Sequence, residues 1–299
     1  MSPSLVIEKR KSSAPGNLVF SILIPSWNNL AYLQLCVDSI RKNSKYKHQI
    51  IVHVNEGKDG SLEWVKSQGD LDYTYSAENI GICYALNMSS ELAVTNYIVY
   101  LNDDMYVCTD WDAGLYAEIK NINHDYFFFS STAIEHQATG NQCVIVQDYG
   151  TDIASFQEKK LLNEFSSLAK EDWQGATWPP NIVHRDIWNL VGGYSTEFSP
   201  GMYSDPDFSM KLWLLGVRLF KGVSKSRVYH FGSKSTVRVT KNRGYFTFIS
   251  KWGMTARTFT KNYLHSGSQY DGPLAIPVLP FSLRCKNFFK QLSVSFHRH

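Results

Sequence analysis

The chain has 299 residues, 43% of them hydrophobic and 14% aromatic, enough to bury a sizeable core as one large α/β domain or two small ones. Its 30 Lys and Arg against 27 Asp and Glu leave a net charge of only +3, which argues against a nucleic-acid binder. Five scattered cysteines (Cys36, Cys83, Cys108, Cys143 and Cys285) lack CxxC spacing, so neither a disulfide framework nor a zinc site is indicated, and reduced thiols fit a cytosolic protein. The first residues are polar and basic, unlike a signal peptide, and no apolar run is long enough to span a bilayer.

Residues 1–17, rich in Ser, Lys and Pro, read as a loose leader. Residues 18–24 are a continuous apolar run, a strand covered on both faces, cut by Pro25. Asn28 or Asn29 can cap the helix that starts near Leu30, in which Leu30, Leu33, Val37 and Ile40 share a face. A second strand at 49–54 runs into the polar loop Asn55-Glu56-Gly57-Lys58-Asp59-Gly60-Ser61. A short helix begins at Ser61, a third strand covers 71–76, and the turn Glu78-Asn79-Ile80-Gly81 leads into a helix at 82–94. Residues 97–101 form the next strand and run into Asn102-Asp103-Asp104.

Asp and Asn are poor strand formers, so that strand stops where they begin and leaves two carboxylates at its carboxyl end. Ligands gather at such ends in open α/β sheets. Adjacent carboxylates repel unless a cation or donors neutralise them, and hard oxygen ligands suit Mg²⁺ or Mn²⁺, ions that usually also hold phosphates. A solvated turn with an Asx cap is the plain alternative. The alternation of strand and helix argues for a mostly parallel sheet with helices on its faces. The chain has no G-x-G-x-x-G and no Walker motif, so neither a dinucleotide cofactor nor a P-loop is indicated.

A helix is expected at 113–119 and a strand at 125–130. Residues 131–173 are less regular, with strand-like 143–146 and helix-like 157–165. A helix at 185–191 is closed by Gly192-Gly193. An amphipathic helix at 208–215 leaves Asp205 and Asp207 at its N-terminus, where capping alone would account for acidic residues. Strands follow at 217–220 and 227–229, the second ending in His230-Phe231-Gly232-Ser233-Lys234, whose hydroxyl and charge suit a pyrophosphate. Trp178 is held in a loop by Pro179-Pro180, whereas Trp188, inside a helix, reads as core. Residues 247–263 look helical with a Gly interruption. Residues 282–292 mix basic and apolar positions at helical spacing; such a helix could rest on an anionic membrane surface, or equally pack on the body or a partner chain.

Several of these pieces, in this order, carry a family resemblance. Ser21-Ile22-Leu23-Ile24-Pro25-Ser26-Trp27-Asn28 resembles the "I-P-T-Y-N" opening strand of family-2 glycosyltransferases of the GT-A fold. The loop from Asn55 to Ser61 resembles their "D-N-G-S-x-D-G-S", Asn79-Ile80-Gly81 their "N-x-G", and Asn102-Asp103-Asp104 their "D-x-D". Gly192-Gly193-Tyr194 resembles "G-G-F", Ser204-Asp205-Pro206-Asp207 resembles "E-D-x-D", and His230 stands where many members carry a His.

The resemblance, over residues 20–231, implies an α/β GT-A catalytic domain at 18–245. Its nucleotide-sugar half would be 18–125 and its acceptor half 126–245, followed by a helical basic extension at 246–299. It implies a cytoplasmic enzyme of polysaccharide biosynthesis. Such an enzyme moves a sugar, with inversion and with Mn²⁺ or Mg²⁺, from a donor of the UDP, GDP or dTDP type to a glycan or glycolipid acceptor. Pro25, Trp27, Asn55, Glu56, Asn79 and Asp103 then read as nucleotide-binding, Asp104 and His230 as metal ligands, and Ser233 and Lys234 as diphosphate contacts. Trp178 reads as an acceptor platform and Asp205 as the base, with Asp207 in reserve. Two departures stand out: Asn102 replaces the first Asp of "D-x-D", and the Asp that reads the nucleobase has only Asn55 and Glu56 in its place. Asn102 gives some footing to the alternative, a non-catalytic sugar- or nucleotide-binding protein on a degenerate GT-A fold. A nucleotidyltransferase of the same fold would need a Gly-rich, Lys- or Arg-bearing loop after the first strand, and Pro25-Ser26-Trp27-Asn28-Asn29 is not one.

Overall fold

The computed structural model describes residues 7–11, 16–232 and 243–296. Its elements run β1 (Ile7–Arg10), β2 (Phe20–Trp27), α1 (Leu30–Asn43), β3 (Gln49–Asn55), α2 (Ser61–Ser67), β4 (Leu71–Ser76), α3 (Gly81–Ser90), β5 (Tyr97–Tyr100), β6 (Met105–Val107), α4 (Trp111–Lys120) and β7 (Phe127–Glu135). They continue with β8 (Ile145–Val146), α5 (Glu158–Glu164), β9 (Trp173–Gln174), β10 (Asn181–His184), α6 (Arg185–Leu190), α7 (Ser204–Leu215), β11 (Leu219–His230), α8 (Gly244–Trp252), α9 (Ala256–Asn262) and α10 (Phe281–Phe296). Among the described residues no helix is long and apolar enough to cross a membrane.

One sheet runs through the body in the order β1-β4-β3-β2-β5-β10-β7-β11-β6. It is parallel through β4-β3-β2-β5, as the strand–helix alternation predicts, and parallel again between β7 and β11. Helices cover both faces, giving the α/β architecture expected from the sequence. Successive residues of a strand face opposite sides, and the core divides accordingly. Phe20, Ile22 and Ile24 of β2 join Val52 and Val54 of β3 and meet Leu33, Val37 and Ile40 of α1. Leu23 and Ile51 point the other way, to Leu86 of α3, Ile187 of α6 and Phe208 of α7. Phe248 and Phe259 belong to this second cluster, so α8 and α9 are part of the body.

Several local expectations give way to long-range pairing. Ile7–Arg10, inside the stretch read as a loose leader, pairs antiparallel with β4 and closes that edge of the sheet. The two strands expected at 217–220 and 227–229 are one strand, β11, whose register against β7 shifts between Val223 and Arg227. Such a bulge lets the polar Ser224 and Lys225 leave the ladder without ending it. Strand β10, read in the sequence only as the approach to a helix, slots antiparallel between β5 and β7. The three-residue β6 pairs with the end of β11. Helix α7 starts at Ser204, so Asp205 and Asp207 lie inside its first turn. Asn29 makes no side-chain cap of α1. Instead Leu30 N–H donates to Asp59 Oδ2 (2.7 Å), and Asp59 Oδ1 accepts from the amide and hydroxyl of Ser61, so one carboxylate caps α1 and α2 together.

Candidate active site

A cavity of about 680 Å³ opens at the carboxyl ends of β2, β3 and β5. Pro25, Ser26 and Trp27 of β2, Asn55 of β3, Asn79 and Gly81 of the next turn, and Asn102 and Asp103 form one wall. Residues 200–206, with Trp178 and His230, form the facing wall.

The first wall is tied together by hydrogen bonds. Asn55 Oδ1 accepts from Ile80 N–H (2.9 Å), tying the β4–α3 turn to β3. Ser26 Oγ donates to Asp103 Oδ2 (2.7 Å), fixing the first carboxylate after β5 against β2. Asn28 accepts from Lys58 N–H and donates to Glu56 Oε2. Glu56 also pairs with Lys58 and takes a hydrogen bond from Trp27, so it touches one candidate nucleotide-binding residue although it is not itself in the cavity wall. Its pKa is lowered: burial would raise it, but the bonds from Asn28 and Lys58 outweigh burial.

The neighbourhood of Asp104 follows from strand order. β11 lies between β7 and β6, with His230 paired across to Glu135 on one side and to Met105 on the other. That register sets Asp104, one residue before β6, beside His230: Asp104 Oδ1 stands 3.6 Å from Nε2, and Glu135 Oε1 stands 3.1 Å from Nδ1. Burial alone would push the His230 imidazole down, but the two carboxylates outweigh it and hold it up to about 10. Asp104 Oδ2 and His230 Nε2 are buried and have no hydrogen-bond partner among the described residues. A carboxylate oxygen and an imidazole nitrogen left unsatisfied side by side suit a divalent cation such as Mn²⁺, and Glu135 is placed to orient the ring through its other nitrogen. Among the described residues no group of three or more His, Cys, Asp or Glu is arranged to hold a metal. The described residues therefore offer two donors, and substrate oxygens and water would supply the rest.

Asp205 is set by the opposite wall. Tyr203, at φ +73°, makes the left-handed turn that starts α7 and lines the cavity with Ser204 and Asp205. Tyr194 O–H donates to Asp205 Oδ1 (3.1 Å). Burial pushes the Asp205 carboxyl up to about 7, and the Tyr194 bond restrains the rise. Tyr194 is itself clamped. Its ring stacks on Phe208 at 4.6 Å, and its amide and carbonyl grip the side-chain amide of Asn87. A Cβ on Gly193 would collide with Asn87 Oδ1, which explains the glycine before the tyrosine.

Asp207 goes elsewhere. It is fully buried, accepts from Trp252 Nε1 (2.9 Å), pairs with Lys251 (2.9 Å) and is absent from the cavity wall. It fastens α8 to α7 and is not brought to the site, so its place in reserve for Asp205 is withdrawn. Ser233 and Lys234 lie outside the described residues. Trp178 is 38% exposed and lines the cavity, while Trp188 is core, as expected. The sequence reading missed Ser26, Glu135 and Tyr194, and also Arg257 and Thr260 of α9, which reach the cavity from the C-terminal part. The extent of the strand at 125–130 was the signal for Glu135; nothing local marks Arg257.

The family model described as "Glycosyl transferase family 2" matches residues 21–164. The chain is 30% identical over 109 residues to "Glycosyltransferase GlyA" of Streptococcus pneumoniae serotype 4, a match covering 35% of this chain and 16% of that protein. It therefore spans only a small part of that relative's length. Among solved structures it resembles S. aureus TarS 1–349 in complex with UDP-GlcNAc, with TM-score 0.56 and 13% identity over 94% of this chain and 73% of the other. It also resembles GalNAc-T7 with UDP, GalNAc and Mn²⁺, with TM-score 0.54 and 19% identity over 80% of this chain and 51% of the other. At these identities the likeness speaks for the fold. Residues 21–164, just under half of the chain, are thus similar to a family-2 glycosyltransferase domain, and the fold is that of the GT-A glycosyltransferases.

Proposed function

We propose that the protein transfers a sugar from a nucleoside-diphosphate sugar to a hydroxyl of a glycan or lipid-linked acceptor, with inversion at the anomeric carbon. The observation that carries this reading is one cavity lined by both Asp205 and His230, with Asp104 beside the imidazole though not itself in the lining. Trp27, Asn55 and Asn79 border the end where the nucleotide would lie, and Asp103, bonded to Ser26, lines the cavity with them. UDP is the first donor to try, because TarS and GalNAc-T7 were solved with it.

Asp205 is the general base. A carboxyl raised to about 7 is ionised in part at neutral pH and basic enough to take the acceptor proton as the hydroxyl attacks. The attack comes from the face opposite the departing diphosphate, so configuration inverts, as in the inverting carboxylate chemistry of glycosidases. Tyr194 holds Asp205 in place through Oδ1. A divalent ion held by Asp104 Oδ2 and His230 Nε2 would neutralise the charge that grows on the diphosphate. Trp178 stacks on the acceptor sugar. A second reading rests on the two-donor count: His230 acts directly, its imidazolium donating to a diphosphate oxygen.

The test is release of the matching nucleoside diphosphate from a panel of UDP, GDP and dTDP sugars, with melting temperatures read alongside. A donor that raises the melting temperature only with Mn²⁺, and not in Asp104→Ala, supports the metal-assisted form. A shift that ignores Mn²⁺ but is lost in His230→Ala supports the second. No shift and no turnover with any nucleotide sugar overturns both.

A further inference from the structure

α10 has its polarity turned outward. The side that packs on the body carries Leu283, Asn287 and Val294, and Asn287 Oδ1 accepts from Thr258 Oγ1 (3.3 Å). Phe281, Phe288, Phe289 and Leu292 are instead 79%, 57%, 66% and 40% exposed. At 3.6 residues per turn, Phe281, Cys285, Phe288, Phe289 and Leu292 recur at spacings of three and four and form one stripe, on the side away from Asn287. Arg284 lies on one flank of this stripe, Lys286 and Lys290 on the other. The approach to the helix adds exposed Ile276 and Val278. A contiguous exposed apolar patch on a soluble body marks a contact surface.

Charge names the occupant. No Asp or Glu follows Asp271, and from residue 208 onward that Asp is the single acid against 16 Lys and Arg. A second copy packed through the same stripe would bring Arg284, Lys286 and Lys290 against their own kind, which costs affinity. An anionic bilayer offers acyl chains to the aromatic rings and phosphates to the flanks. The patch also adjoins the cavity: Lys290 Nζ reaches Tyr245 O–H (3.5 Å), and Tyr245 lies edge-on to Tyr203 of the cavity wall.

We propose that α10 and residues 272–280 dock the protein on an anionic lipid surface, rings in the headgroup–acyl boundary and basic side chains against the phosphates. The docking does not depend on the reaction assigned to the cavity. It is tested by co-sedimenting the full chain with vesicles of phosphatidylcholine alone or mixed with phosphatidylglycerol. Binding is expected on the mixed vesicles at low salt, weaker by about tenfold or more in Arg284→Glu/Lys286→Glu and in Phe288→Ser/Phe289→Ser. All four side chains are on the surface, so melting temperatures should stay at the parent value. No binding to mixed vesicles, equal binding to neutral ones, or binding unmoved by either pair of substitutions overturns the proposal. So does a dimer, seen by light scattering, that Phe288→Ser/Phe289→Ser dissolves, which would give the stripe to a second copy.

Discussion

His53 and Asp205 represent the two halves of the molecule. Both are titratable groups that burial drives toward neutrality: His53 down to about 4, against the bond with Asn55, and Asp205 up to about 7. Their surroundings differ. Both ring nitrogens of His53 are engaged, by Thr74 and Ser76 across β3 and β4, and the side chain is sealed. Asp205 has one tyrosine and faces a cavity. The same pattern holds around them. In the parallel half, Asn55, Asp59 and Asp103 are committed to holding turns and helix ends; across the cavity, Asp104 Oδ2 and His230 Nε2 are left unsatisfied among the described residues. One half is a closed cradle, and the other keeps reactive groups available.

The largest expected effect tests the open half. Asp205→Asn should lower kcat by about 10²–10⁴-fold while nucleotide binding, read by thermal shift, persists. In the parent, kcat/KM should rise through about pH 7 as Asp205 loses its proton, and the variant should lack that limb. Asp207→Asn, two residues on, should act on melting temperature instead; a rate loss as large as that of Asp205→Asn would erase the distinction drawn between them.

The seam between the halves comes next. A Cβ at Gly81, at φ +76°, would collide with Ser199 Oγ and lie 2.7 Å from Pro200 Cα. Gly81→Ala should destabilise by about 3 kcal/mol in denaturant titration, since backbone strain and overpacking add. An unchanged midpoint would mean that the halves slide freely past each other.

Within the cradle, Asn55→Ala leaves the Ile80 amide unpaired and should cost about 1–3 kcal/mol, with weaker nucleotide binding as the turn loosens. His53 adds a pH signature. Its folded pKa is depressed, so the unfolded chain binds a proton first, and stability should fall as pH drops from 6.5 toward about 4. Asp205 acts with the opposite sign: the folded state keeps its proton longer, so its contribution declines as pH rises from 3.8 toward about 7. Melting curves of His53→Gln and Asp205→Asn across that range would separate the two.

The smallest effect belongs to Glu56. Its partner Lys58 is exposed, so Glu56→Gln should change stability by less than about 0.5 kcal/mol and leave donor affinity at the parent value. A clear loss of affinity would return it to the nucleotide site.

The sequence by itself determined the parallel half. Continuous apolar runs at 18–24 and 49–54, each ending in a polar loop, dictate buried strands with ligand-facing tips, because the hydrophobic period and the poor strand propensity of Asn and Asp are local properties. The same locality made Asp205 and His230 legible as part of a family pattern. Only the tertiary structure decided which of the two acids near α7 meets the cavity, because Asp205 and Asp207 are alike in sequence and differ in what packs on them: Tyr194 in one case, Trp252 and Lys251 in the other. It alone brought Glu135 and Asp104 to the two sides of His230, since that meeting needs three strands far apart in the chain to pair in one register. It also turned the aromatic stripe of α10 outward. Helical spacing groups residues on a face, but which face meets the body depends on neighbours contributed from elsewhere in the chain.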